Sequence, residues 1–492
     1  MAYQDESGNN NKINEAIKFW RLVNDADSTN RAEALMDVKF AAGDQWPVEI
    51  QNSRNLESRP CLTINKIDAY IRQVTNQQRM QRPRIKVHPV NNLADYKIAQ
   101  VIEGITRHIE VNSNADTAYD TAFDYAVRMG WGYWRVNTRY VSETSFDQEI
   151  YIDTIDNPFT VYFDPNSILP DGSDAEKCLI TTVMDKKIFR ENYPGADDGA
   201  NFQQRSTGDD TAAWLTKEDI RVAEYFWIEE KEHEIALLPS GQVMRGPFPK
   251  GVELKRKRTV KDPQVMWAKI TGADVLEGPM EFPCRYIPIV AVTGEEWHLG
   301  EETYRSSVIR FAKDPQRMFN YAASTDAEVT AAQPKAPFMV STKQIDGLEE
   351  FWAEMGVKNR PYLPYKPDPE AGMPQRVQPP VASQALQLQM QMAAENIKRT
   401  TGIYDASLGA RSNETSGRAI LARKEESQNA TSIYADNMVK SVMHTGKIIL
   451  DMIPKIYDAK RTVRILGEDD KEKIIVINDL LIAQDGVQPV ND

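Results

Sequence analysis

Apolar residues recur at helical spacing through the first quarter of the chain. Ile13 to Val23 reads as one helix, and Ile64 to Met80 as another, with Ile64, Ile67, Ile71 and Val74 at i, i+3, i+7 and i+10. Pro83 stops the second, and Arg84 to Val87 reads as a short strand. Asp95 to Val111 and Ala115 to Met129 continue the helical pattern. From Gly132 the period changes. Tyr133 to Val141 and Glu149 to Thr154 are β-rich, and Asn157-Pro158 marks a turn. Short strands are expected at Cys178 to Val183, Val222 to Ile228, Glu234 to Leu238, Val265 to Ile270 and Ile287 to Val292. No internal repeat is visible.

The C-terminal half changes character again. Asp314 followed by Pro315 reads as an N-cap with proline at the first helical position. A helix of 19 residues then runs to Gln333, about 28 Å long. A second of similar length spans Ser383 to about Thr401. Gln384 to Met392 alternates Gln or Ala with Leu or Met, a period of two, but the residues are strong helix formers. Between the two helices, 49 residues (334–382) hold nine of the 27 prolines. A Pro-rich excursion at the tip of two matched helices predicts a protruding hairpin with a small terminal lobe. Gly402 to Asn413 is a Gly/Ser/Asn-rich loop, followed by a long helix from about Thr415 to Ile453. Its first half, Arg418 to Asn429, is polar nearly all round, as in helices that bridge regions or meet other subunits.

Composition narrows the class. The chain has 492 residues, 41% of them hydrophobic, with a mean hydropathy of -0.53. No run approaches the ~20 apolar residues of a membrane span, so no membrane insertion is expected. The polar, acidic start is unlike a secretory signal. Cys61, Cys178 and Cys284 are odd in number and far apart, which suits a reducing compartment. The net charge of -13 argues against a protein that clamps duplex DNA over its whole surface. Basic residues cluster at Lys255 to Lys261 and between Lys66 and Lys86; a solvated hairpin or helix face is the simpler reading of both. The five histidines show no metal-ligand spacing, and no phosphate-binding loop, nucleophile elbow or dinucleotide fingerprint is present. Asp164 to Asp174 misses the spacing of a calcium loop and reads as a turn. No catalytic residue, metal or cofactor is expected, and a structural or assembly role leads.

Three stretches carry a resemblance. They are GDQW at Gly43 to Trp46 with RPCLTINKIDAYIRQVTNQQRMQRPRIKVHPV at Arg59 to Val90, YRSSVIRFAKDPQRMFNY at Tyr304 to Tyr321, and TGIYDASLGARSNETSGRAILARKEES at Thr401 to Ser427. Together they resemble bacteriophage portal proteins, specifically the branch of short-tailed phages like P22. The resemblance implies an α+β portal fold with a wing, a two-helix stem, a clip lobe and a long channel helix, assembled as a cyclic ring. Residues 1–303 would be the wing, helical first and then β-rich. Residues 304–333 would hold the first stem helix, 334–382 the clip and 383–401 the second stem helix. The tunnel loop would be 402–414 and the channel helix 415–457, with 458–492 returning to the wing. Family members usually continue into a helical crown, which is expected to be missing from this sequence.

The function implied is a ring, a likely homododecamer in the family's usual form, at one capsid vertex of the virion. It would be assembled in the host cytoplasm and would conduct duplex DNA during genome packaging and ejection. Partners would be the terminase large subunit, tail or adaptor proteins, and capsid and scaffolding proteins. The subunit would not be an enzyme, since the ATPase belongs to the terminase. The alternative is a head-tail adaptor without a packaging role. DNA-channel candidates are Arg411, Ser412, Asn413 and Arg418 with Lys398 and Arg399, although Arg411 is equally able to pair with Glu414. Docking candidates in the clip are Phe338, Phe351, Trp352, Tyr362 and Tyr365, for which a small local core is the plainer reading.

Overall fold

The computed structural model describes residues 6–89, 96–196, 219–239, 243–246, 248, 254–300, 302–332, 336–356, 361–369, 371–378, 384–404 and 431–457. Of the last segments it describes the backbone at 461–466, 472–477, 480–483 and 486–489. Helices α1 (Glu6–Ala26), α2 (Ser28–Ala42), α3 (Val48–Leu56), α4 (Ile67–Met80), α5 (Tyr96–Asn112) and α6 (Ala115–Met129) come first. Strands β1 (Trp131–Tyr140), β2 (Gln148–Thr154), β3 (Val161–Phe163) and β4 (Lys177–Asp185) follow, then α7 (Lys186–Asn192). Next are β5 (Asp219–Leu237), β6 (Val243–Arg245), β7 (Arg256–Ile270), β8 (Val275–Glu281), β9 (Ile289–Thr293), β10 (Glu295–Leu299) and β11 (Glu302–Ser306). Helix α8 (Lys313–Ala332) leads into a lobe with β12 (Phe338–Met339), α9 (Thr342–Ile345), α10 (Glu349–Ala353) and β13 (Gln375–Arg376). The chain then forms α11 (Gln384–Thr401), α12 (Ser432–Ile456), β14 (Arg461–Leu466), β15 (Glu472–Ile477), β16 (Leu480–Ala483) and β17 (Gly486–Pro489). The class is α+β, with antiparallel pairing throughout the described strands.

The chain divides into two compact units. The first comprises residues 1–36, 73–308 and 431–492; the second comprises 37–72 and 309–430. In the first unit the larger sheet has the order β3-β4-β5-β7-β8, with β6 on β5. Helix α1 lies on one face of it: Ile13, Ala16, Ile17, Trp20 and Val23 meet Leu179, Ala223, Tyr225, Trp227, Ala268 and Ile270. That is a single helical stripe against alternate strand residues. The second sheet has the order β2-β1-β9. Helix α6 presents Ala118, Ala122 and Ala126 to β1 so closely that a Cβ on Gly132 would stand 2.0 Å from the carbonyl oxygen of Ala122. Helix α12 covers β9. Its Asn437 donates to the carbonyls of Thr293 and Gly294 at 3.1 and 3.0 Å, Ser441 donates to Ala291, and Trp134 donates to Thr445.

Several expectations are corrected. Val222 to Ile228 and Glu234 to Leu238 are not two strands but parts of the 19-residue β5; the charged run between them pairs across to β7 instead of turning. Arg84 to Val87 is irregular and joins no ladder. Helix α4 begins at Ile67, not Ile64. Helices α2 and α3 carry weak apolar periodicity and escape the pattern. Asp314 lies inside the first turn of α8, which is preceded by a short 3-10 turn at Arg310–Ala312. Asp164 to Asp174 is indeed a turn: Asp174 accepts from the Ile168 amide at 2.7 Å and Asp164 from the Glu176 amide at 3.0 Å. Of the long helix expected from Thr415, the described part is α12; residues 405–430 lie outside the described residues.

Candidate functional site

The second unit is built on the pair α8 and α11, which pack against each other. Every fourth residue of α8 on one side is polar: Gln316, Asn320, Ser324 and Glu328. Against them lies the extended segment 59–66. Ser324 accepts from the Leu62 amide at 2.9 Å, Asn320 from the Ile64 amide at 3.0 Å and Gln316 from the Lys66 amide at 3.2 Å. Gln316 also donates to the Ile64 carbonyl. At the end of the row, Glu328 meets Arg59 at 2.9 Å and Arg54 at 3.3 Å. The segment has no strand partner, so these side chains satisfy backbone groups that a sheet would otherwise satisfy. Ile64 stays out of α4: its carbonyl, which a helix would give to an amide four residues on, accepts from Gln316 instead.

The GDQW stretch completes this arrangement. Gly43, at a φ of 110° that favours glycine, turns the chain after α2. Gln45 donates to Asn65 at 2.9 Å and accepts from Asn320 at 2.6 Å, both well inside the unit. Trp46 is buried, with Tyr321 at 6.2 Å and the Arg54 guanidinium at 5.7 Å from its ring. Further back along α2, fully buried Asp37 receives Arg310 and Lys313, each at 2.7 Å. Two of the quoted stretches, distant in sequence, are therefore packed on one another.

The five aromatic residues of the lobe separate into two groups. Phe338 and Trp352 meet edge to face at 5.6 Å, and Trp352 donates to the Pro364 carbonyl at 2.9 Å. They form the local core, helped by Gln344, which is buried in a capping box with Ser341 and also donates to the Gly372 carbonyl. Phe351, Tyr362 and Tyr365 are exposed, Tyr362 at 74%. Lys398 and Arg399, near the end of α11, both approach Glu395 on their own helix, at 3.9 and 3.6 Å. Arg411, Ser412, Asn413 and Arg418 lie outside the described residues.

One feature of the unit gave little sequence signal. Trp46, Pro47, Ile50, Met318, Tyr321 and the edge of Gln389 line an open groove of about 220 Å³, with Arg317 on its wall. In the first unit a larger cavity of about 400 Å³ holds Arg135, Glu224, Trp267 and Lys269. Its charges are matched: Arg135 and Trp267 both donate to Glu224, and Lys269 meets Glu277. Members of the basic clusters are paired too, Lys261 with Glu230 at 2.6 Å and Arg82 with Asp116 and Asp120 at 2.6 and 2.7 Å. Among the described residues, no group of His, Cys, Asp and Glu is placed to hold a metal ion, and no helix is long and apolar enough to cross a membrane. All three cysteines are free.

Comparison with known proteins decides the lineage. Residues 18–492 match the family described as phage P22-like portal protein. The chain belongs to that family. A portal protein of Acyrthosiphon pisum secondary endosymbiont phage 1 is 25% identical over 502 residues, covering 94% of this chain and 68% of the relative. Within this P22-like portal chain, two of the three quoted stretches acquire a physical basis. The first two build the joint between segment 59–66 and α8, and the third begins where α11 ends.

Proposed function

We propose that this portal subunit closes with identical copies into a ring at a capsid vertex and forms the conduit through which duplex DNA enters and leaves. The match over residues 18–492 carries this reading. The helix pair α8 and α11 serves as the stem, and the Pro-rich lobe between them as the clip. Lobe residues Phe351, Tyr362 and Tyr365 are exposed aromatics beyond those the lobe uses for its own core. They form the docking surface for terminase during packaging and for tail factors afterwards. Channel contact falls to the loop containing Arg411, which a ring would repeat in every subunit.

Purified protein is expected to show closed rings by negative-stain microscopy and a multiple of the 55.9 kDa subunit mass by light scattering. A chain that remains monomeric at tens of micromolar would count against the proposal. In phage complementation, Tyr362→Ala with Tyr365→Ala should leave rings intact and lower the packaged DNA several-fold. Normal packaging by that variant would remove the lobe from the docking role. Arg411→Glu should likewise spare rings while impairing packaging or DNA retention.

A further inference from the structure

Strands β5 and β7 outrun the sheet that holds them. Strand β4 accompanies β5 only as far as Trp227, and β8 joins β7 no further out than Met266. Beyond those points, from Ile228 to Leu237, the two strands run on as a ribbon, with β6 added at the far end. The stretch Glu232 to Lys261 carries seven Lys and Arg against three Glu, a local +4 on a chain of -13. On one face of the ribbon Lys257 is taken by Glu234 and Lys261 by Glu230. On the other face alternation sets Arg256 beside Arg258, opposite Leu237 and Ile235. Both arginines are exposed, and among the described residues neither meets an acid.

We propose that Arg256 and Arg258 form a contact site for the phosphate backbone of duplex DNA. The inference goes beyond the conduit reading, since it needs neither a ring nor the loop containing Arg411. Alternate residues on a strand stand about 6.6 Å apart, close to the separation of successive phosphates along one DNA strand. The ladder from Ile228 to Leu237 is continuous, so this spacing is built in before anything binds. Each guanidinium offers a phosphate two parallel donors, which an ammonium does not. An acidic peptide could meet the same pair only after being fixed in an extended form, at a cost in chain entropy. A phosphate backbone brings its charges at a fixed repeat. The unpaired state of the two arginines also matters, because no ion pair has to break before a phosphate is neutralised.

The test is fluorescence anisotropy of the full chain with a short labelled duplex, between about 20 and 100 mM salt. Arg256→Gln with Arg258→Gln should lower the slope of log affinity against log salt by about 1.8, two contacts at ~0.9 each. Arg72→Gln with Arg79→Gln alters net charge equally but removes cations already paired with Asp68 and Asp120, and should leave the slope unchanged. Arg256→Lys with Arg258→Lys should keep the slope and lose affinity several-fold, since the charge stays and the paired donors go. Circular dichroism should match the unmodified chain in every variant. An unchanged slope on loss of both ribbon arginines would overturn the proposal and leave the conduit reading in place. An equal fall in the Arg72 and Arg79 variant would overturn it too, because net charge alone would then govern binding. Poly-glutamate at matched charge should compete weakly; competition as strong as that of unlabelled duplex would assign the ribbon to an acidic protein segment instead. A chain that forms no ring yet shows the expected slopes would defeat the ring reading and keep this one.

Discussion

Two ionisable residues of the first unit, one buried and one half-buried, oppose each other as pH changes. His444 on α12 is fully buried against the edge of Tyr286, with neither ring nitrogen hydrogen-bonded among the described residues. Burial lowers its pKa to about 4, with Lys447 acting in the same direction and Asp171 and Asp174 against it. Burial raises Glu110 to about 7, although Tyr119 donates to its carboxylate at 3.2 Å. The signs follow from proton binding. Below about pH 6.5 the unfolded chain protonates His444 and the folded chain does not, so this residue's stabilisation is lost as pH falls from about 6.5 to 4. Glu110 holds its proton longer in the fold, so its contribution is present in acid and lost as pH rises from about 4.5 to 7. The two slopes oppose between pH 4.5 and 6.5. His444→Phe should make stability fall with pH across that window, and Glu110→Gln should make it rise, by up to about 3 kcal/mol for the histidine. Urea midpoints at pH 5, 6 and 7 would check this; parallel profiles for the two variants would contradict it.

At the scale of elements, the polar row on α8 is worth more than its share of surface suggests. Asn320 is the central member, serving the Ile64 amide, Gln316 and Gln45 at once. Asn320→Ala would strand several buried polar groups and should cost about 2–4 kcal/mol. Ser324→Ala removes one partner, that of Leu62, and should cost about 1 kcal/mol. Thr325→Ala, on the wet side, should be nearly neutral; equal urea midpoints for all three variants would refute this ordering. The row also marks where sequence reading stops. Helices such as α6 and α11 were legible because an apolar stripe or strong helix formers announce them. A segment held to a helix by Gln, Asn and Ser has no such stripe, and Ile64 was borrowed by the neighbouring helical period. The charged run at Glu229 to Glu234 misled for a related reason: it reads as a loop, yet each residue has a cross-strand partner on β7. Among site residues, the prolines announced the lobe, but nothing in the one-dimensional pattern separated Phe338 and Trp352 from the exposed Phe351, Tyr362 and Tyr365. Lys398 and Arg399 looked like free cations because their shared partner Glu395 is three and four residues back.

For the whole molecule, in a ring of the kind proposed the -13 charge of each subunit would set how duplex DNA is treated. Each phosphate neutralised adds affinity through counterion release, which would hold a polymer that has to slide. Within the described basic clusters, Arg72, Arg79, Arg82, Lys257 and Lys261 are paired with acids, which lowers the number of cations available for that purpose. Rings should therefore retain duplex DNA poorly at about 150 mM salt, with weak binding emerging only at low salt. Fluorescence anisotropy with a labelled duplex would measure this, and nanomolar binding at physiological salt would contradict it.

Segment 59–66 and helix α8 behave as two rulers with different graduations. Two extended residues advance about 6.6 Å, and four helical residues advance 6.0 Å. Matched at Ile64 and Asn320, the scales are about 0.6 Å apart at Leu62–Ser324 and at Lys66–Gln316, well within what hydrogen bonds absorb. One step further, opposite Glu328, stands Pro60, which has no backbone N–H to donate, so the row ends there. The chain changes instrument at that point: Arg54 and Arg59 span the gap with long side chains and a charged acceptor. With a proline as its last graduation the vernier has a fixed length, so replacing Glu328 with Ser or Asn would not extend the row by another bond; it would only remove the arginines' partner.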